Sequence, residues 1–528
     1  MLFTSYEFIG FVALLLAVYY IVPQKLQWML LLAFSCAFYY IANPVYLLYI
    51  GTTIITTYLV TCQMEKHSDK SNAAILREMP KEEKKAYKKQ QKAIRLRWLL
   101  GCLFLNVGIL VVVKYSNFII GNINAVFGEA GKTTNQLSFV SLIVPMGISF
   151  YTFQAIGYMV DVYRGTVQAE KNPFKLALFI SFFPLLVQGP ISRFGDLAKT
   201  LYAKHPFDGK AVAFGLQRVL WGFFKKLVVA DRLMPSVTML IGDLDSYNGA
   251  YAFVGMVFYT IQLYADFTGG IDVTIGIAQA LGVTVQENFN RPYFSKSLKE
   301  YWRRWHISMA SWFRDYIFYP VSSSKPLMKL SKFAKKHVGE AVGKRLPVYI
   351  ASFLVWFTTG IWQGASGNFI AWGLGNYVIL MLSQECEPLY AKFHKRFSVE
   401  DKFFYRLFQV GRTFLLICCL NLFDCYVAVG DTFRALGSMV TAANWNILFN
   451  GEMLNIGLSM LDYGILLIAM VVLIGVSLVQ RGGGVREKIA ARPYPVRFVI
   501  WFGLFLVVLL VGAYGVGYDS SQFIYNRF

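Results

Sequence analysis

Side chains able to take part in acid–base chemistry are concentrated in two stretches of a chain that is otherwise apolar. The first, residues 287–320, mixes asparagine, arginine and aspartate with aromatic rings, and His306 lies within it. Imidazole exchanges a proton near neutral pH, so His306 is a candidate base, the alternative being a packing or membrane-surface histidine. The second stretch, GIWQGASGN at 360–368, sets Gln363 beside Trp362. Its amide can hydrogen-bond a hydroxyl or a carbonyl but takes no proton, and the stretch is equally compatible with a simple turn.

The element that carries His306 is predicted to be one amphipathic helix. Ser297 and Glu300 form an S-x-x-E pattern that predicts the helix start. Apolar residues then recur at helical spacing, namely Leu298, Trp302, Trp305, Met309 and Tyr316. A helix that combines aromatic with basic residues is typical of a membrane surface. We therefore expect His306 at the edge of the aromatic face of a helix lying at the bilayer.

The remaining chain has the composition of an all-α polytopic membrane protein. Of its 528 residues 56% are hydrophobic and 15% charged, and the mean hydropathy is +0.47. Several apolar runs reach the ~20 residues that a helix needs to cross a bilayer. The predicted spans are 6–21, 26–42, 44–62, 98–115, 137–160, 173–187, 207–233, 249–267, 346–362, 369–382, 407–427, 461–479 and 498–516. The five histidines and seven cysteines show no spacing typical of a metal site, so we predict none.

The net charge of +21 comes from basic loops between apolar spans, which indicates positive-inside topology rather than nucleic-acid binding. The basic segment 66–97 is expected in the cytoplasm, and the base-poor loop 116–136 outside. The start, MLFTSYEF, has no basic residue before its apolar run and is interpreted as a retained first helix. Both termini, including the tail 517–528, are then expected outside, with roughly ten to twelve crossings and some broken or re-entrant segments near the middle.

Asp266 is an acidic residue that falls inside a predicted span. Asp266 lies near the end of 249–267, and charged side chains within a bilayer are costly enough to be functional candidates by default. The alternative is a helix-end or turn role beside the two glycines that follow. The arginines Arg303, Arg304 and Arg314 are candidates either for pairing with phosphate groups or for snorkelling at the interface.

Five stretches, in order along residues 144–373, resemble the membrane-bound O-acyltransferase family, specifically its bacterial branch of alginate O-acetylation proteins and D-alanyl-lipoteichoic acid transferases. They are VPMGISFYTFQAIGYMVDVYRG (144–165), FFPLLVQGPISR (182–193), LYADFTGGIDVTIG (263–276), NFNRPYFSKSLKEYWRRWHISMASWFRDYIFYP (288–320) and GIWQGASGNFIAWG (360–373). Several long motifs in sequence make the resemblance specific.

The resemblance implies a ring of roughly 10–12 transmembrane helices, with re-entrant and amphipathic helices, around a central tunnel through the ~30 Å bilayer core. We expect a single integral-membrane domain over 1–528, with N-terminal helices and the basic loop in 1–143, the core motifs in 144–384 and C-terminal helices in 385–528. Members of this family pass an acyl group from a cytoplasmic donor, here acetyl-CoA or an acyl carrier, to an extracytoplasmic hydroxyl, and no permanently bound cofactor is expected.

The length of the chain resembles the polysaccharide O-acetylation members, which work with an extracytoplasmic transferase, here expected to be of the SGNH type. We therefore expect O-acetylation of a cell-surface polysaccharide by a multi-pass protein of the bacterial cell membrane. The alternatives are D-alanyl transfer to teichoic acid and a non-catalytic scaffold or transporter.

The resemblance also assigns residues. Gln363 stands where the family motif has the histidine presumed to be the catalytic base, and His306 matches the family's other recurrent histidine. The residues expected to line or shape the tunnel are Trp302, Trp305, Trp362, Asn288, Asn290, Arg291, Asp266, Arg314 and Asp315.

The departure at Gln363 has a consequence for the reaction. Losing a general base forfeits on the order of 10²–10⁴ in rate, so we expect impaired activity. The favoured interpretation is a deliberately inactivated variant of an active enzyme. The two others are a natural member that has lost this chemistry and a member in which His306 serves alone.

Overall fold

The structure, a computed structural model, describes residues 3–129 and 137–514. Of the described residues 79% are helical, and none lies in a strand. It divides into two compact units, one formed by the described part of 1–213 together with 277–286 and the other by 214–276 together with the described part of 287–528. The organisation of the chain as one integral-membrane domain stays a prediction.

Within the described ranges seven helices are long and apolar enough to cross a membrane. They are Gln24–Ala42, Tyr46–Lys66, Lys81–Phe127, Glu340–Gln363, Phe403–Asp424, Met460–Gln480 and Tyr494–Val511. The apolar side chains of these helices are largely on the outside, as expected where lipid rather than protein is the neighbour. The prediction of an all-α polytopic membrane protein is therefore confirmed. The ring, the tunnel and the number of crossings stay predictions, and the tail 517–528 lies outside the described residues.

The first unit is built from helices of very unequal length. They are Tyr6–Ile21, Gln27–Ala42, Tyr46–Lys66, Ala73–Glu78, Lys81–Glu129, Ile148–Arg164, Pro173–Ser181, Phe183–Gln188 and Phe194–Leu201, with a 3₁₀ turn at Gln24–Leu26. Tyr46–Lys66 packs against both Lys81–Glu129 and Ile148–Arg164.

The prediction of an outer loop at 116–136 is wrong over its first half, because Lys81–Glu129 is one helix of 49 residues. The segment NFIIGNINAVF contains no proline, and the Asn122 side chain donates to the Phe118 carbonyl one turn earlier at 2.7 Å, so nothing in it ends the helix. Residues 130–136 lie outside the described part of the chain.

The span predicted at 137–160 begins as a helix only at Ile148. Gly147 precedes it with φ of +73°, and a Cβ there would lie 2.3 Å from the Leu186 carbonyl oxygen, so only glycine fits this start. The extended residues before it hydrogen-bond to the long helix, where the Asn117 and Asn124 side chains pair with the backbone of Val140 and Leu137. The predicted span 137–160 is thus broken at Gly147.

The second unit contains the remaining helices. A few residues at one end of Gly209–Phe223 and of Ala250–Ala280 are assigned to the first unit. The others are Asp231–Gly242, Leu298–Arg304, Ile307–Phe313, Tyr319–Ser322, Lys325–His337, Glu340–Gln363, Gly367–Glu385, Glu387–Phe397, Phe403–Asn421, Val429–Thr441, Met460–Gln480, Val485–Ala490 and Tyr494–Val511. Two π-helical turns occur at Phe224–Ala230 and Arg314–Phe318, and 3₁₀ turns at Pro292–Phe294, Leu422–Asp424, Trp445–Leu448 and Glu452–Asn455.

Glycines bring the backbones of the helical hairpin Glu340–Gln363 and Gly367–Glu385 into direct contact. A Cβ on Gly360 would lie 2.5 Å from the Phe369 carbonyl oxygen, and one on Gly373 would lie 2.4 Å from the Trp356 carbonyl oxygen. Close approach through small residues is a common way for helices to associate where lipid removes the hydrophobic driving force. The hairpin therefore fixes the position of Gln363, the last residue of its first helix.

Candidate active site

The segment that carries His306 is broken into two short helices. Ser297 begins the first, Leu298–Arg304, and its hydroxyl accepts a hydrogen bond from the Glu300 amide at 3.2 Å, which confirms the predicted start. Trp305 then has extended backbone angles and His306 a φ of 46°, before the second helix, Ile307–Phe313. The prediction of one amphipathic helix is wrong at this point.

The broken backbone is satisfied by residues 288–290. The Ile307 amide donates to the Asn288 carbonyl at 3.0 Å, and the Asn290 amide donates to the Arg304 carbonyl at 2.9 Å. The Asn288 side-chain oxygen accepts from the Ser308 amide at 2.9 Å. These bonds replace those that a continuous helix would make, and helical periodicity along 298–316 contains no information about them.

His306 is a fully buried histidine rather than a membrane-surface one. Its exposed fraction is 0%, its Nδ1 lies 3.3 Å from the Asn288 side-chain oxygen, and its ring meets the Phe267 ring edge-on with centroids 5.0 Å apart. Burial lowers the pKa of the His306 imidazole from 6.5 to about 3. The ring is therefore neutral over the physiological range.

A small cavity of about 30 Å³ lies beside this broken helix, within the second unit. It is lined by Leu263, Tyr301, Trp302, Trp305, Gln363, Phe369, Trp372, Asn421 and Asp424. The Trp302 indole donates to the Asn376 side-chain oxygen at 3.0 Å, and the Gln363 amide nitrogen lies 3.9 Å from the Met309 sulfur. The lining consists of six apolar or aromatic side chains, one of them a tyrosine with its hydroxyl, together with two amides and one carboxylate. Such a lining suits a small, mostly apolar ligand held by a few polar groups.

The structure brings the two candidate stretches together. The Trp362 ring, next to Gln363 in the chain, has its centroid 6.1 Å from that of His306. The two stretches are thus in contact and are not separated by the ~30 Å core of a bilayer. His306 and Trp362 are absent from the cavity lining, whereas Gln363 contributes to it.

Asp424 and Asn421 are lining residues that the sequence reasoning did not single out. Both lie at the end of the apolar segment Phe403–Asp424, and the Asp424 carboxylate accepts a hydrogen bond from the Tyr259 hydroxyl. Among the described residues no ion pair includes Asp424. Asp424 could have been identified from the sequence, because an acid within a predicted span, here 407–427, is a functional candidate by default.

The other predicted site residues lie away from the cavity. Asp266 is buried and pairs with Lys226 at 2.6 Å, and Lys226 also pairs with Asp231 at 2.8 Å. Asn290 is exposed, and the exposed Arg314 pairs with Asp315 at 3.0 Å. Arg291 accepts a long hydrogen bond on its carbonyl oxygen from the Arg304 guanidinium, which also pairs with Glu300, while Arg303 is exposed. In the described part of the chain no three His, Cys, Asp or Glu side chains are grouped so as to hold a metal.

Comparison with known proteins gives the cavity a family context. Residues 169–334 match the model of the membrane-bound O-acyltransferase family. The chain is 32% identical over 375 residues to the probable alginate O-acetylase AlgI of Azotobacter vinelandii, covering 71% of this chain and 66% of that protein. It is also 32% identical to the protein of the same name from Pseudomonas putida, covering 71% of this chain and 68% of that protein.

A more distant relative belongs to another polymer system. The teichoic acid D-alanyltransferase of Bacillus subtilis is 25% identical over 309 residues, which cover 56% of this chain and 71% of that protein. The chain spans about two thirds of the length of the curated relatives it matches. The order of its motifs, its helical architecture and these matches agree, and the chain belongs to the membrane-bound O-acyltransferase family.

Proposed function

We propose that this protein transfers an acetyl group from a cytoplasmic thioester donor, acetyl-CoA or an acyl carrier, to hydroxyl groups of a cell-surface polysaccharide. The reaction takes place in the cavity between Gln363 and Asp424. The protein resides in the bacterial cell membrane with both termini outside, and an extracytoplasmic SGNH-type transferase completes delivery to the polymer. The similarity to two probable alginate O-acetylases supports polysaccharide as the acceptor class.

The cavity carries the proposal. At about 30 Å³ it has room for roughly two water-sized spheres, the scale of a two-carbon acyl group rather than of a long chain. Its aromatic walls, Trp302, Trp305 and Trp372, provide a dry surface for the methyl group, while Gln363 and Asn421 offer amide donors for a thioester carbonyl. Held amide donors stabilise the negative charge that develops on such a carbonyl oxygen during attack.

Gln363 also limits the rate. An amide accepts a hydrogen bond from the attacking hydroxyl without removing its proton, so the acceptor is activated less than it would be by an imidazole at the same point. His306 does not replace it, because it is fully buried and is not among the residues that line the cavity. We therefore interpret this chain as a slow acyltransferase rather than one in which His306 serves alone.

The test is acetyl transfer in membrane vesicles from cells that produce both the full chain and its SGNH-type partner, supplied with a radiolabelled acetyl thioester and an acceptor polysaccharide. Ester formation on the polymer is expected for the unmodified chain, and Gln363→His is expected to raise its rate by about 10²-fold. The matched control, Gln363→Asn, keeps an amide and is expected to show no gain.

Two results would contradict this account. Equal rates for Gln363→His and the unmodified chain would remove residue 363 from proton transfer. Transfer of D-alanine in preference to acetate, measured with both labelled thioesters, would replace acetylation by D-alanylation.

A further inference from the structure

We infer that Asp424 is the catalytic residue that takes the proton from the attacking hydroxyl in this chain. The inference rests on the proposed function and adds a base to it. It follows from the position of one carboxylate in a cavity where the expected base is an amide.

Asp424 and Gln363 come from different helices but line the same cavity. Gln363 ends one helix of the hairpin, and Asp424 ends the 3₁₀ turn that follows Phe403–Asn421, yet both line the same cavity of about 30 Å³. The Asn368 side chain, at the start of the second hairpin helix, donates to the Tyr426 carbonyl and holds the segment after Asp424 against the hairpin. In so small a space a hydroxyl that contacts Gln363 is also close to the Asp424 carboxylate.

The polar groups that line the cavity differ in their ability to accept a proton. Its polar members are the amides of Gln363 and Asn421, the indole N–H groups, the Tyr301 phenol and the Asp424 carboxylate. Amides and indoles do not accept a proton near neutral pH. A tyrosine side chain is a neutral phenol at pH values well below about 10 and is a poor base in that form. Asp424 is therefore the lining group able to act as a base, and carboxylates serve in this role in many enzymes.

The Asp424 carboxylate has a neutral hydrogen-bond partner. Among the described residues Asp424 forms no ion pair, and its hydrogen-bond partner is the neutral Tyr259 hydroxyl. An ammonium or guanidinium beside it would stabilise the charged form and oppose protonation. With Tyr259 bound to one oxygen, the other remains able to accept a proton from a hydroxyl in the cavity.

The step balances without a further reactant. The acceptor oxygen attacks the thioester carbonyl carbon, a C–O bond forms, and the C–S bond breaks with its electron pair leaving on sulfur. The hydroxyl proton passes to Asp424 and then to the thiolate, which leaves as a thiol. Asp424 is thereby returned to the carboxylate for the next turnover.

The experiment is a four-variant cycle of acetyl transfer in vesicles, using the unmodified chain, Asp424→Asn, Gln363→His and the double variant. Asp424→Asn is expected to lower the rate about 10²-fold in the unmodified chain. It is expected to change the rate of the Gln363→His chain less than about threefold, because the new imidazole takes the proton. High activity of the double variant also shows that Asp424→Asn folds.

Two further measurements separate proton transfer from a structural role. Asp424→Glu keeps the carboxylate and should recover part of the lost rate, whereas Asp431→Asn, which removes an acid that pairs with Arg434 outside the cavity, should leave the rate within twofold. The rate of the unmodified chain should fall as the pH is lowered, since protonation blocks the carboxylate. In the Gln363→His, Asp424→Asn chain the fall should instead follow protonation of the imidazole at position 363, so its midpoint should differ.

The outcomes distinguish the two claims. If the unmodified chain forms no ester, the proposed function itself fails. If it forms ester and Asp424→Asn is equally active, or if Asp424→Asn loses the same factor with Gln as with His at 363, the assignment of Asp424 as the base is overturned while the proposed function stands.

Discussion

Asp266 and Asp424 are both carboxylates at apolar segments of the second unit, but their surroundings differ. Asp266 shares the Lys226 ammonium with Asp231, at 2.6 and 2.8 Å. Six residues further along the same helix, Asp272 pairs with Lys225 at 2.6 Å and with Arg218 at 2.8 Å. Asp424 instead faces a cavity and a tyrosine hydroxyl.

The difference indicates a division of labour. A carboxylate held by a buried cation keeps its charge and fixes the helices that supply the two partners, since removing either partner leaves an uncompensated charge. A carboxylate without such a cation can change its protonation state at smaller cost. Acids inside an apolar chain are thus separated into structural and reactive ones by what lies within hydrogen-bonding distance, which their sequence positions do not reveal.

Lys226→Met, which removes the cation shared by Asp266 and Asp231, is expected to have the largest effect. Two buried carboxylates then lose their shared cation, and the free energy of unfolding is expected to fall by about 3–5 kcal/mol. Thermal unfolding of the detergent-solubilised protein, followed by intrinsic fluorescence, measures the change. The matched control is Lys344→Met, which removes an exposed lysine paired with Glu340 at 2.8 Å and should cost less than about 1 kcal/mol. Similar losses for the two variants would show that the buried network is not what stabilises these helices.

On the cavity side a smaller effect is expected from Asn288→Ala. This change removes the side-chain oxygen that accepts from Ser308 and lies beside His306, and it leaves a buried amide unsatisfied at a cost of about 2 kcal/mol. Acetyl transfer should fall as well, because Trp305 is positioned by the same break in the helix. Asn290→Ala is the control, since Asn290 acts through its backbone amide and its side chain is exposed. Equal stability of the two variants would refute the role of Asn288 as the anchor of the break.

The sequence predicts the class of the fold well because hydropathy reports directly on spanning helices. It also locates the helix start at Ser297, where the signal is contained in four consecutive residues. It does not predict the break at Trp305 and His306, since the bonds that stabilise it come from Asn288 and Asn290 rather than from the helix itself. The pairing of Lys226 with Asp266 joins residues 40 positions apart, and no local pattern reports it.

Part of the candidate site was accessible from the sequence and part was not. Gln363, Trp302 and Trp305 were identified and do line the cavity, whereas His306 and Trp362 do not line it. Asp424 carried the signal of an acid in an apolar run, yet its importance depends on its meeting Gln363 from a different helix. That meeting is a property of tertiary packing, here set by the glycines of the hairpin and by Asn368.

The central claim is that the acyl group binds in the cavity between Gln363 and Asp424, and affinity labelling tests it most directly. Gln363→Cys places a thiol in the cavity wall, and S-bromoacetyl-pantetheine presents a reactive acyl group on the arm that coenzyme A and acyl carriers share. Peptide mass spectrometry is expected to find alkylation at position 363 that exceeds that of an Asn290→Cys control and is abolished by excess acetyl-CoA. Labelling at position 363 no greater than at the control position, or unaffected by acetyl-CoA, would contradict the assignment of the cavity as the acyl-transfer site.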